Sequence, residues 1–268
     1  MLLTSQKNLW PMGCFLLVSL SIVSAQEILT NAHAHNDYLH KQPLQDALDQ
    51  GFISVEADIF WVEGKLLVAH TRPEIKSENT LDKLYLRPLW ERFQQNQGFI
   101  HPNYAEFILL IDFKAEGEQL YQSLLKALEP YQKMLTYYQN GQKKPGALSV
   151  IISGDRPVKT ILAEKNIRWV GIDGRTEDLE KSIQAYEYPL ISQNWNNLFK
   201  WRGKGVFPAE EKEKLQSLVQ KTHNLGAKIR FWATPDQAEV WKVLHEAGVD
   251  LINIDDLKGF RDWYLSQK

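Results

Sequence analysis

Eight short apolar runs, most of them followed by a helix-like segment, constrain this chain more than any other feature. They are Gln26–His35, Ile53–Phe60, Phe107–Asp112, Leu148–Ile152, Trp169–Ile172, Leu190–Ser192, Ile229–Trp232 and Leu251–Ile254. Parallel strands need long crossovers, so strand runs alternating with helices predict a parallel sheet. The architecture expected is one (β/α)8 barrel of TIM type, with some helices missing or irregular. A doubly wound open sheet is the alternative, but no glycine fingerprint follows the first run.

The intervening segments carry helix signals. Pro43–Gln50 reads as a short helix stopped by Gly51, and Leu81–Gln95 as a helix that Pro88 bends or splits. Gly117–Met134 is amphipathic, with Leu120, Leu124, Leu128 and Tyr131 on one face. Pro208 sits where it can open a helix to Asn224, and Thr234-Pro235-Asp236-Gln237 has the spacing of a capping box. Two excursions interrupt the alternation. Lys65–His70 returns as a hairpin arm after Glu63-Gly64, and Tyr137–Lys144 turns around Asn140-Gly141.

Residues 1–25 read as an export signal: Lys7 is the positive flank, Cys14–Val23 the apolar run, and Val23-Ser24-Ala25 the small residues before cleavage. That run is short for a membrane span, so a secreted or periplasmic product starting near Gln26, with no stable membrane anchor, is expected. Cys14 is the only cysteine and lies in the signal, so the remaining chain has neither disulfides nor a cysteine nucleophile. Residues 26–268 then form a single domain. With a net charge of -2 there is no basic field to draw in nucleic acid.

Chemistry-bearing side chains crowd into Asn31–His70: His33, His35, Glu56, Asp58 and His70. Residues two apart on a strand share a face, so Glu56 and Asp58 point the same way. Two carboxylates side by side repel unless a cation lies between them. In a barrel of this kind the C-terminal ends of the strands carry the site, which adds Asp112 and Lys114 after the third strand.

The order AHAHNDY…SVEAD…GKLLVAH resembles the signature of the PLC-like phosphodiesterase superfamily, which includes the glycerophosphodiester phosphodiesterases. Within it the chain is most similar to a secreted group resembling altered inheritance of mitochondria protein six. LLIDFK, KIRFWATP and GVDLINIDDLKGF resemble the third, penultimate and closing strands of the same superfamily. The resemblance implies a barrel fold and phosphoric diester hydrolysis. It gives His35 and His70 the acid and base roles, in either order, and leaves His33 either as a residue behind the ligands that supports them or as an additional contact. It makes Glu56, Asp58 and Asp112 the ligands of one divalent cation, which an oxygen-only set favours as Mg²⁺ or Ca²⁺. Lys114 becomes a phosphate-side cation and Trp232 a pocket wall. Arg156, Arg175, Asn194 and Asp255 lie near strand ends and are weaker candidates. The substrate implied is a small-molecule or lipid-derived phosphodiester.

The chain departs from the superfamily's pattern after the first histidine, where Asn36 replaces the usual arginine. Asn36, as a neutral donor, or a cation from elsewhere must therefore take over the grip on phosphate. Net hydrolysis is expected, with a cyclising, lyase-type reaction as the alternative product course. A metallohydrolase of amidohydrolase type would also open with His33-x-His35. It needs further histidines at later strand ends, and His101, His223 and His245 lie in loop or helix segments. A secreted binding protein on the same barrel is the remaining rival.

Overall fold

The computed structural model describes residues 26–164 and 166–268; the export signal expected over 1–25 lies outside them. Eight parallel strands form a closed barrel: β1 Leu29–Ala34, β2 Phe52–Val62, β3 Phe107–Phe113, β4 Leu148–Gly154, β5 Val170–Gly174, β6 Leu190–Asn194, β7 Lys228–Trp232 and β8 Leu251–Ile254. Each pairs with the next, and β1 closes the ring by pairing with both β8 (His33 opposite Asn253) and β2 (His33 opposite Ser54). Among the described residues, the only antiparallel strand of this sheet is the arm Lys65–Val68, which folds back on the end of β2 with Ile59 opposite Val68. A separate small hairpin, Tyr137–Gln139 with Gln142–Lys144, forms around Asn140-Gly141.

Strand alternation sorts the side chains into two layers. Along β3, Phe107, Leu109, Ile111 and Phe113 join the large core between sheet and helices, whereas Ile108 and Leu110 point into the barrel. Asp112 continues the inward row one step higher. Ile53, Ile108, Leu110, Ile151, Leu190 and Leu251 make an apolar floor in the barrel. Above it, buried polar residues come from most strands, among them His33, Glu56, Asp58, Ser153, Asp173, Ser192, Arg230 and Asn253. Burial of uncompensated polar groups costs about 1–3 kcal/mol each, so this upper layer must be internally paired or meant for a ligand.

The helices are α1 Gln45–Asp49, α2 Arg87–Gln95, α3 Gly117–Leu128, α4 Val158–Ala163, α5 Trp195–Leu198, α6 Ala209–Leu225, α7 Ala238–Glu246 and α8 Leu257–Ser266. Several are short or replaced by single turns, as the crossover between β5 and β6 is by Thr176–Glu180. Prolines mark a change of helix type within two segments, the first being the one expected to bend or split at Pro88. A π turn at Asp82–Leu86 precedes α2, whose Pro88 lies at its start, and α3 stops before Pro130, giving way to a 3-10 stretch at Glu129–Met134. The capping box expected at Thr234–Gln237 does not form: α7 begins after Gln237 with no side-chain cap. Asp236 instead accepts from the backbone N–H groups of Asp255 and Asp256 and from the Trp241 indole, tying β8's exit to the start of α7. Among the described residues no helix is long and apolar enough to cross a membrane.

Candidate active site

Parallel pairing sets Asp58 of β2 beside Asp112 of β3, with Glu56 one inward step below. Carboxylate oxygens of all three lie within 4.8 Å of one another. Lys114, just beyond β3, reaches back over them, its Nζ 2.6 Å from Asp58 Oδ2 and 3.5 Å from Asp112 Oδ1. Burial pushes Asp112 up to about 6 against the pull of Lys114, and burial together with Glu56 also raises Asp58. Burial works against the Lys114 ammonium, but Asp112 and Asp58 outweigh it and raise its pKa.

The histidines approach from two sides. The antiparallel arm carries His70 back to the mouth, where Nδ1 lies 3.0 Å from Asp58 Oδ2 and 3.1 Å from the Tyr38 hydroxyl. That hydroxyl is 2.6 Å from the same Asp58 oxygen and 2.9 Å from Asn36 Oδ1. His35 leaves the end of β1, and its Nδ1 donates to Asp255 Oδ1 at 2.9 Å. With Nδ1 committed to a carboxylate, each ring presents Nε2 as its remaining nitrogen. His33 is different: it is wholly buried, with Nδ1 2.7 Å from Ser54 Oγ and Nε2 3.3 Å from Glu56 Oε2. Burial, with Arg230 nearby, lowers its pKa to about 4, so a neutral imidazole satisfies both partners.

Arg230 was not among the residues singled out from the sequence. It rises from β7 across the barrel, its Nη2 2.6 Å from Glu56 Oε2 and its Nε 2.6 Å from Asn253 Oδ1. Burial would raise Glu56, but the Arg230 guanidinium and the hydrogen bond from His33 together outweigh it and hold the carboxyl well below the usual range. One sequence signal was available: Arg230 lies between Ile229 and Phe231, on the face of a strand that points inward. Tyr38 was equally unremarked, because nothing along the chain says that a residue after Asn36 would return to Asp58.

The far wall is built on Asp173 of β5, which accepts from Ser153 Oγ at 2.7 Å, Ser192 Oγ at 2.5 Å and Arg175 Nη1 at 2.9 Å. Arg156 donates to the Asp173 carbonyl. These two arginines are therefore engaged within the wall. Trp232 stands half-buried at the end of β7, and Asn36 occupies a left-handed turn with φ 47°.

Whether a cation suits the three carboxylates is answered by Asp58. Its Oδ2 has three neighbouring donors, whereas Oδ1 is sealed from solvent with no hydrogen-bond partner among the described residues. An orphaned buried carboxylate oxygen among oxygen-only donors fits a hard divalent ion.

The description "AIM6-like phosphodiesterase domain" matches residues 23–173, which is more than half the chain. The chain belongs to the AIM6-like phosphodiesterase family. Relatives include altered inheritance of mitochondria protein 6 of Eremothecium gossypii, 29% identical over 86% of this chain and 68% of that protein. A homolog from Arthroderma benhamiae is 26% identical over 87% of this chain and 83% of its own. In three dimensions the AIM6-like barrel is similar to a glycerophosphodiester phosphodiesterase from Parabacteroides distasonis. The TM-score is 0.54 at 12% identity, covering 89% of this chain and 98% of that one. A second such enzyme, from Agrobacterium tumefaciens, gives 0.50 at 12% identity. At that identity the likeness establishes the shared barrel.

Proposed function

We propose that this AIM6-like chain is a metal-dependent phosphoric diester hydrolase acting on a glycerophosphodiester or a phospholipid-like diester. The observation that carries the reading is the convergence of Glu56, Asp58 and Asp112 under Lys114, flanked by two histidines whose Nδ1 atoms are held by Asp255 and Asp58. Glu56, Asp58 and Asp112 would hold one Mg²⁺ or Ca²⁺, which when bound offsets negative charge on the phosphoryl oxygens.

The side chains supply the rest. One histidine Nε2 accepts the proton of the attacking oxygen, and the other delivers a proton to the leaving alcohol. Asp255 and Asp58 fix the ring orientations and stabilise each imidazolium as it forms. Lys114 donates to a non-bridging oxygen, and Trp232 and Asn36 border the bound diester. His33 sits beneath as a neutral support for Glu56. The proposal extends to an exported product freed of residues 1–25, with a small-molecule or lipid-derived diester as its partner and no nucleic acid.

Phosphorus NMR of purified protein with mixed glycerophosphodiesters tests this reading. Turnover is expected with Mg²⁺ or Ca²⁺ and not after chelation, and His35→Ala or His70→Ala should each lower it by ~10²-fold or more. His33→Ala should cost far less. No turnover of any diester with either ion would leave a binding protein on the same barrel. In ¹⁸O-labelled water, a cyclic phosphate as sole product without label would replace hydrolysis by cyclisation.

A further inference from the structure

Arg230 is only 3% exposed, yet its guanidinium is not fully used. Nε donates to Asn253 and Nη2 to Glu56, while Nη1 has no hydrogen-bond partner among the described residues and is not sealed from solvent. Asn253 and Glu56 fix the plane of the guanidinium, so the direction of Nη1 is set before anything binds. A buried cation held this way is a preorganised anion receptor.

Charge points in the same direction. Glu56, Asp58 and Asp112 bring three negative charges, and Arg230 and Lys114 bring two positive ones. With a divalent ion added, the floor of the site carries one net positive charge. A phosphodiester monoanion neutralises it, whereas a monoester dianion overshoots.

We infer that Arg230 is the guanidinium that grips the phosphoryl group, Nη1 donating to a non-bridging oxygen from the side opposite Lys114. The inference rests on the phosphodiesterase reading and adds a preference for monoanionic diesters. It also supplies the cation that the turn at Asn36 lacks, from the other end of the chain.

The test uses dimethyl phosphate, a monoanionic diester that is very slow to cleave, titrated into the full chain by phosphorus NMR. Glu56→Gln keeps Arg230 and removes its competing carboxylate; Glu56→Gln/Arg230→Gln removes both charges together. Without metal, the single variant should bind dimethyl phosphate at least ~10-fold more tightly than the double one, as expected for a charge-assisted contact. Equal affinity, including no binding by either, overturns the inference. If Glu56→Gln does not fold, the wild type and Arg230→Lys are compared with Mg²⁺ present. Lysine keeps the charge and loses the fork, so affinity should again fall ~10-fold, and equal affinity again overturns the inference. A wild type that cleaves diesters while the variants bind alike removes Arg230 from the grip and leaves the enzyme standing. Loss of binding in the double variant of a chain that cleaves nothing keeps the anion grip and fails the enzyme reading.

Discussion

Asp58 is a residue with two different sides. Oδ2 is crowded by Lys114, Tyr38 and His70, and Oδ1 is buried with no partner, so only one face of the carboxylate is free for a ligand. Asp37, one residue from Tyr38, shows another use of a buried acid. It is fully buried, accepting from Leu44 N at 2.5 Å and the Tyr85 hydroxyl at 2.9 Å, and burial pushes its pKa up to about 7. The folded state therefore holds the Asp37 proton more tightly than the unfolded chain does. Its contribution to stability is complete below the unfolded value of 3.8 and is lost as pH rises through about 7. Denaturant unfolding of wild type and Asp37→Asn across that window should show the variant gaining on wild type as pH rises, by on the order of 2 kcal/mol or more. An unchanged difference between the two proteins at both ends of the window would rule out Asp37 as the source.

At the scale of elements, strand ends and turns aim the functional groups. The two-residue turn Glu63-Gly64 has φ of 48° and 81°, both positive, which suits the twist of a tight hairpin and sends the arm back toward Asp58. Past His70, Glu74 accepts from the Thr71 N–H at 2.9 Å and fixes the exit. At the end of β4, Gly154 has φ 69°, and a Cβ there would lie 2.3 Å from the Phe113 carbonyl oxygen and 2.6 Å from Asp112 Oδ1. Gly154→Ala should destabilise the chain by ~1–3 kcal/mol, from left-handed strain and close approach together. Because one of the clashing atoms belongs to Asp112, divalent-ion binding should weaken as well. Thermal unfolding and calorimetric titration with Ca²⁺ check both effects, and a variant matching wild type in both would show that the contact relaxes freely.

The whole molecule depends on closure. β1 is held between β2 and β8, so the last strand completes the first. The matched family segment ends at Asp173, within β5, before β6, β7 and β8. A fragment of residues 26–173 would leave β1 and β5 as open edges and Glu56 without Arg230. It should lack the cooperative unfolding transition of residues 26–268, as followed by circular dichroism. A sharp transition in the fragment would mean that the first half folds without closing the ring.

Strand alternation and helix punctuation were legible in the residues themselves, because both are local. Backbone geometry repeats every second residue along a strand, so Ile108, Leu110 and Asp112 share a face wherever that strand ends up. Glu56 with Asp58 follows from the same periodicity, the hairpin that returns His70 from the Glu63-Gly64 turn, and the barrel class from strands alternating with helices. Proline's missing N–H likewise marked where the Leu81–Gln95 segment passes from a π turn into an α-helix. What a side chain meets across the ring is not periodic. Arg230 and Glu56 are 174 residues apart, and His35 and Asp255 are 220 apart. Thr234 and Gln237 had the spacing of a local capping box, yet the start of α7 is tied down by Asp236 through a distant pair of backbone N–H groups. Sequence thus determined which residues face the barrel interior. Closure of the ring decided which of them touch, because only the packed sheet sets the distances over which charges and hydrogen bonds act.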